Sequence, residues 1–342
     1  MDRTPDQLCL LCLSNKADFK GSHFTPSCII KNVIGKKGYE NEIAIYPTKG
    51  SLSQFYGRSN LNNTDTKTQK TDNVLDHILC SSCEKKLGLL ESECCTKLNE
   101  LTESIKAKKI KIYKTSKGNN FVQFKKPDKN IIILFFYSII WRQIINVPFY
   151  GGTIDIPDNF VEKLRLIITT ETNYALTEIK NSNNFKNYPK LIVYTTYHFD
   201  PYSGNNYNPN PYSSNPEFFA IGLYNALLFV NDDISKNFEL LTYVPASLLE
   251  NDLIMNNSAE TKIGVITYET WQRRMKFLLA LNVYDFTSTF VNRILEQTKL
   301  TIIEAENLLK QRTATENIFT PQGLQEHFEN ATNEIINRFN KQ

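Results

Sequence analysis

The chain has 342 residues, of which 41% are apolar and 22% charged, with a formal net charge of +3. That balance excludes a disordered polymer and predicts two or three packed modules. The longest apolar run, residues 131–141, stops at Arg142 and Gln143, well short of the roughly 20 residues a membrane helix needs.

The N-terminus, MDRTPDQLCLLC, carries acids on both sides of its arginine and no long apolar stretch. A cytoplasmic protein with reduced thiols and no membrane partner is therefore expected. Charge is uneven along the chain. Residues 1–126 hold 21 Lys and Arg against 13 Asp and Glu, whereas the remainder holds 18 against 23. The basic end favours polyanion partners, although solvated lysine faces are also common.

All seven cysteines precede residue 96, so residues 1–108 are expected to be a module stabilised by cysteine chemistry. EIAIYP (42–47) alternates like a short strand. SLSQFYGRSNLNNTDTKTQKTDN (51–73) is polar and aperiodic, as expected of a mobile insertion. Beyond Cys83, apolar residues Leu87, Leu90, Cys94, Leu98 and Leu101 recur at spacings of three and four, which predicts a helix with one apolar side. Residues 110–124 place two β-prone runs around a Gly-Asn turn, the pattern of a hairpin.

Residues 130–145, NIIILFFYSIIWRQII, are apolar all round and predict a central core helix. DNFVEKLRLIITTE (158–171) opens with a cap signal and continues amphipathically. PKLIVYTTYHF (189–199) and EFFAIGLYNALLFVN (217–231) are rich in β-branched and aromatic residues and predict strands. The Pro/Asn/Ser/Tyr segment between them reads as a long loop. From residue 266 to 340 the pattern is helical.

Cys9, Cys12, Cys80 and Cys83 form two CxxC pairs. Each pair can aim two sulfurs at one point, and two pairs complete the tetrahedral shell of a structural zinc. A long insertion between them costs little, because loop-closure entropy grows only logarithmically. Cys28, Cys94 and Cys95 lack such spacing and read as small apolar core residues. Ser22 and His23 lie between the two pairs, and Glu84 and Glu91 share one face of the following helix. A carboxylate in a first helical turn is also an ordinary partner of the helix dipole, and a lone histidine is often structural. Arg142, inside an apolar helix, needs an anionic partner, with Glu84, Glu91 or a C-terminal acid as candidates and a phosphate as the minority alternative.

In order, CLLC, SHFTP, LCSSCE and FFYSIIWR resemble poorly characterised bacterial proteins with a CxxC, SHxxP, CxxCE and later WR pattern. Some of these are described as HNH-like, the treble-clef or ββα-metal nuclease class, and some are suspected in phage defence. The similarity covers residues 9–170. It implies His23 as the general base that activates water against a phosphodiester and Glu84 as a ligand of a catalytic metal. Ser22 stands where the class carries Asp or His, and Asn73, Asp76 and His77 lie nearest the customary Asn.

The resemblance implies an α+β protein: an N-terminal four-cysteine zinc treble-clef module over 1–108, then a mainly helical domain with a small β-sheet over 109–342. Cys9, Cys12, Cys80 and Cys83 would hold structural zinc, with Glu84 and Glu91 available to Mg or Mn. The expected activity is metal-dependent hydrolysis of nucleic acid. The alternative is a catalytically inactive zinc module that binds nucleic acid or protein, joined to a C-terminal region (last helices 266–340) that senses a signal or forms homo-oligomers. No P-loop or GxGxxG pattern occurs, which argues against nucleotide hydrolysis and dinucleotide chemistry.

Overall fold

The computed structural model describes residues 3–26, 28–29, 43–48, 51–55, 74–124, 129–146, 156–196, 217–221, 224–230, 251–267, 290–313 and 321–339. The fold is mixed α/β. A two-residue strand β1 (Ser22–His23) is followed by a hairpin of β2 (Ile43–Thr48) and β3 (Ser51–Phe55) and by β4 (Val74–Leu75), which returns to pair with β1. Helix α1 (Ser81–Lys106) leads into β5 (Ile112–Lys114) and β6 (Asn120–Phe124). Helices α2 (Lys129–Asn146), α3 (Asp158–Glu171) and α4 (Leu176–Asn181) come next. Strands β7 (Leu191–Thr196), β8 (Glu217–Ile221), β9 (Tyr224–Leu228) and β10 (Thr261–Ile266) complete the sheet. A helical stretch at 290–297 precedes α5 (Ile302–Thr313) and α6 (Pro321–Phe339).

Helix α2 is the centre of the main core. Every residue from Asn130 to Ile144 is buried, which is why the sequence carries apolar residues around its whole circumference. It packs on α1, α3 and α4, while the sheet contributes Val122, Val193, Phe219, Ala226 and Ile263 from one face to the same core. The buried side of α1 is Leu87, Leu90, Cys94, Leu98, Leu101 and Ile105, the predicted stripe extended by one turn. Each such Leu contributes about 1.5–3 kcal/mol by leaving water.

The Asn130 amide donates to the carbonyls of Ile179 at 2.9 Å and Ser182 at 2.8 Å, holding the C-terminal end of α4.

The sheet has six strands in the order β5-β6-β10-β7-β9-β8. Only β10 and β7 run parallel; the other neighbours are antiparallel. It is larger than the small sheet expected, because EFFAIGLYNALLFVN divides into two paired strands and TKIGVI supplies β10 in the middle. The strand signal of TKIGVI was masked by its Gly and Lys. Gly264 is required there by the fold, since a Cβ would lie 2.3 Å from the Tyr194 ring on the neighbouring strand.

The start of the expected insertion forms β3, paired with β2 in the register Thr48↔Ser51 to Ile43↔Phe55. The rest of the insertion, the long loop at 200–216 and the helical reading of 268–289 lie outside the described residues. The C-terminal helices share a second core in which Phe290, Ile294, Leu309, Phe328 and Ile335 meet. Among the described residues no helix is long and apolar enough to cross a membrane.

Candidate metal centre

The four CxxC sulfurs converge from both ends of a long excursion. Residues Leu8 and Lys16 form an antiparallel bridge. Within it the Cys9 amide donates to the Asn15 carbonyl at 2.8 Å and the Leu13 amide to the Cys9 carbonyl at 2.9 Å. Leu13 closes the turn at φ 55°, a left-handed conformation that is uncommon for leucine.

The second pair opens α1. Cys80 is its N-cap, and its sulfur accepts from the Cys83 amide at 3.5 Å. A backbone zip joins the two halves: Leu10 N–H to Ile78 C=O at 2.9 Å, His77 N–H to Phe19 C=O at 2.9 Å and Phe19 N–H to Leu79 C=O at 3.2 Å.

The Sγ atoms of Cys9, Cys12, Cys80 and Cys83 all lie within 4.8 Å of one another. A tetrahedral zinc with Zn–S of about 2.3 Å places its sulfurs about 3.8 Å apart, and Cys12 and Cys80 are separated by 3.9 Å. The donor set and its spacing fit zinc. Two further groups surround it: Asn15 Nδ2 donates to Cys80 Sγ at 3.7 Å, and the N–H groups of Cys12, Cys80 and Leu11 face Cys9.

The Cys83 thiol donating to Cys9 is the main reason the Cys9 thiol falls to about 4, and the same contact drives the Cys83 thiol far up. Sulfurs packed this closely cannot all carry charge without a cation among them. Bringing Cys12 to Cys80, 68 residues apart, costs about 4 kcal/mol of length-dependent closure entropy. Thiolate coordination of a zinc ion there would supply about 10–16 kcal/mol and so outweigh it.

A zinc bound to four thiolates carries a net charge of about −2. Two arginines lie near enough to offset part of this. Arg165 on α3 donates to the Leu11 carbonyl at 2.5 Å, beside Thr169 at 3.1 Å. The guanidinium is raised by Glu162 first and then by Cys12 and Cys9. Arg3 donates to the His77 carbonyl at 2.7 Å and the Leu8 carbonyl at 2.5 Å.

Beside the sulfurs, β1 and β4 form a short ribbon with Ser22 opposite Leu75 and His23 opposite Val74. Ser22 is buried, and its hydroxyl donates to Glu84 Oε2 at 3.2 Å. His23 is half-buried, and adjacent strand residues project to opposite faces. Burial is the first cause raising the Glu84 carboxyl; the Arg142 charge opposes it and Glu91 reinforces it.

Glu91, the other carboxylate expected beside Glu84, is engaged by Arg142. Its Oε1 lies 2.6 Å from Arg142 Nη2. Among the described residues the four cysteines are the one cluster of three or more His, Cys, Asp or Glu close enough to hold an ion.

Arg142 is 1% exposed. Besides its ion pair with Glu91, it donates to the Ser138 carbonyl at 3.1 Å and the His23 carbonyl at 2.8 Å. Its guanidinium therefore joins α2, α1 and β1, a structural task. Asp76 and His77 are structural as well: Asp76 accepts from the Gly21 amide at 3.0 Å, and the His77 ring contacts the Ala17 carbonyl at 2.8 Å.

The reading of Cys28 and Cys95 as apolar core residues is corrected. The two are joined in a disulfide with Cα atoms 6.0 Å apart, because the turn after β1 passes alongside α1. Cys94 is in no disulfide and is buried in the core, as expected, its thiol donating to the Ile131 carbonyl at 3.5 Å. Sequence reasoning also missed Asp18, whose carboxylate receives the Ser81 amide at 2.7 Å and hydroxyl at 2.9 Å. These contacts hold the Asp18 carboxyl below the usual range. No family model, curated protein or solved structure matches the chain.

Proposed function

We propose that the chain is a zinc-tied, HNH-like protein that hydrolyses nucleic-acid phosphodiesters, with the N-terminal zinc module in a treble-clef arrangement. The observation that carries this reading is the 3.2 Å contact of Ser22 Oγ with Glu84 Oε2. It docks β1 onto the carboxylate that opens α1, beside the four-cysteine cluster; His23, next in the strand, projects from the opposite face, so the reading requires a phosphodiester that reaches around the edge of this two-residue ribbon.

In this reading His23 accepts a proton from water as its oxygen attacks phosphorus. The P–O bond to the leaving sugar oxygen breaks as the new one forms. Glu84, with the Ser22 hydroxyl, would hold a hard divalent ion such as Mg or Mn, which when bound would supply Lewis-acid stabilisation of charge on the leaving oxygen. Mg is commonly bound through one or two carboxylates together with substrate phosphates, so a single protein carboxylate suffices. Glu91 is assigned to Arg142 instead.

A second reading, a zinc module that binds nucleic acid or protein without catalysis, is favoured by the lack of a second acidic or histidine cluster among the described residues. A defence role belongs to the nuclease reading, and sensing or self-association through the C-terminal region to the second.

Cleavage of plasmid DNA and of RNA by the zinc-loaded chain, with and without Mg or Mn, separates the two readings. The nuclease reading expects cleavage that needs the added ion and disappears in His23→Ala while one zinc per chain is retained. Absence of cleavage by the intact chain on both substrates refutes it and leaves the binding module.

A further inference from the structure

The basic excess of the N-terminal third is concentrated at one place that the metal centre does not use. Residues 104–127 contain eight lysines and no acid. The described part of this segment, residues 104–124, is the end of α1, the edge strand β5, its turn and β6. Lys108, Lys109, Lys111, Lys114 and Lys117 are all exposed.

Among the described residues no carboxylate pairs with any of these five, and nearby Asp252 receives the Ser116 hydroxyl at 3.0 Å. The neighbouring sheet face adds Lys262, 5.2 Å from the centre of the Phe121 ring, and Lys111 lies 5.0 Å from that of Tyr113. The two rings stack with centroids 5.5 Å apart. Cations are thus held over a flat aromatic pair at a sheet edge, while others ring the strand on both sides.

Resting on the nucleic-acid reading above, we propose that this lysine rim is a second contact surface for the phosphate backbone of nucleic acid, bound without base readout. Ammonium groups on flexible stems neutralise phosphates as point charges and displace condensed counterions, so binding of this kind weakens steeply with salt.

The rim and the metal centre are separated by the length of α1. Its 26 residues span about 39 Å at 1.5 Å per residue. Nucleic acid touching both ends must extend about 11 or 12 base steps at 3.4 Å each. The rim would therefore hold a long substrate away from the metal centre and add affinity that a short one does not receive.

The test is fluorescence anisotropy of the full zinc-loaded chain with a mixed-sequence duplex and a single strand, each of about 24 units and again of about 8. No divalent ion is added. The variant Lys109→Glu/Lys111→Glu/Lys114→Glu, with matched zinc content and circular dichroism, is expected to bind the long duplex at least ten-fold more weakly at 0.1 M salt. Its slope of log affinity against log salt should fall by about 2–3. The corresponding triple Lys→Gln variant should show a smaller loss of the same sign, and the difference from wild type should shrink on the short probes.

Unchanged affinity and slope in both variants would overturn the proposal, leaving lysines that only guard an edge strand against pairing. Equal displacement of the probe by polyglutamate at matched charge would also overturn it, in favour of an acidic protein partner. Unaltered binding by His23→Ala that lacks cleavage keeps the rim and the hydrolytic centre separately testable.

Discussion

Replacing Arg142 with methionine removes a guanidinium that is 1% exposed and strands the Glu91 carboxylate 2.6 Å from where it stood. It also strips the donor from the His23 carbonyl, which received Nη1 at 2.8 Å. Breaking a buried ion pair from one side costs about 3–5 kcal/mol. The Glu91 side chain is 22% exposed, so water recovers part of its solvation, and a loss near the lower limit, about 3 kcal/mol, is expected.

Glu91→Leu leaves the deeper-lying guanidinium without its anion and should cost at least as much. The double variant should then be more stable than the sum of the two single losses by about 2 kcal/mol, because the isolated charges are gone. Urea unfolding of the zinc-loaded protein, followed by fluorescence of the adjacent buried Trp141, measures all three. A loss below about 1 kcal/mol for Arg142→Met, or strict additivity in the cycle, would refute the assignment of Arg142 as a paired structural cation.

Asn256, fully buried, receives the Leu191 amide at 2.9 Å and donates to the Phe185 carbonyl at 2.9 Å. Asn256→Ala should therefore cost about 2–4 kcal/mol in the same assay, whereas a loss within experimental error would mean these groups find other partners. Gly264→Ala forces a Cβ to 2.3 Å from the buried Tyr194 ring. It should cost about 3 kcal/mol, read as a fall in melting temperature; an unchanged melting point would mean the sheet yields freely. Lys180, 2.8 Å from Glu93, depresses the Glu93 carboxyl, so the pair stabilises the fold above the ordinary carboxylate range and stops doing so as pH falls through the depressed value. Glu93→Gln should lower stability at pH 7 by under about 1 kcal/mol, given partial exposure, and the gap should close in acid; a gap that widens with acid would contradict this.

The helices were legible because their periods are strong. α3 spans the residues its period indicated, although Pro157, with no side-chain cap bond, is its N-cap in place of the expected Asp or Asn, and α2 could be read as central because no polar face interrupts it. The sheet was harder to see. β10 carries a lysine and a glycine whose meaning, a contact under Tyr194, exists only once the strands are adjacent.

The four sulfurs were legible because metal geometry fixes ligand spacing locally. Their surroundings were not, since nothing at Asp18 announces a helix start 63 residues later. Nothing at Arg165 announces the Leu11 carbonyl, 154 residues away. The Cys28–Cys95 disulfide fails for the same reason: its partners are set by how the turn after β1 passes α1, which no local pattern encodes.

The convergence of Cys9, Cys12, Cys80 and Cys83 to within 4.8 Å of one another, close enough to hold one ion, supports the rest of the account. Elemental analysis of the purified full chain, paired with X-ray absorption at the zinc edge, tests it most directly. One zinc per chain in a shell of four sulfurs at about 2.3 Å is the expected result. Substoichiometric metal, or a shell in which nitrogen or oxygen replaces any sulfur, would contradict it.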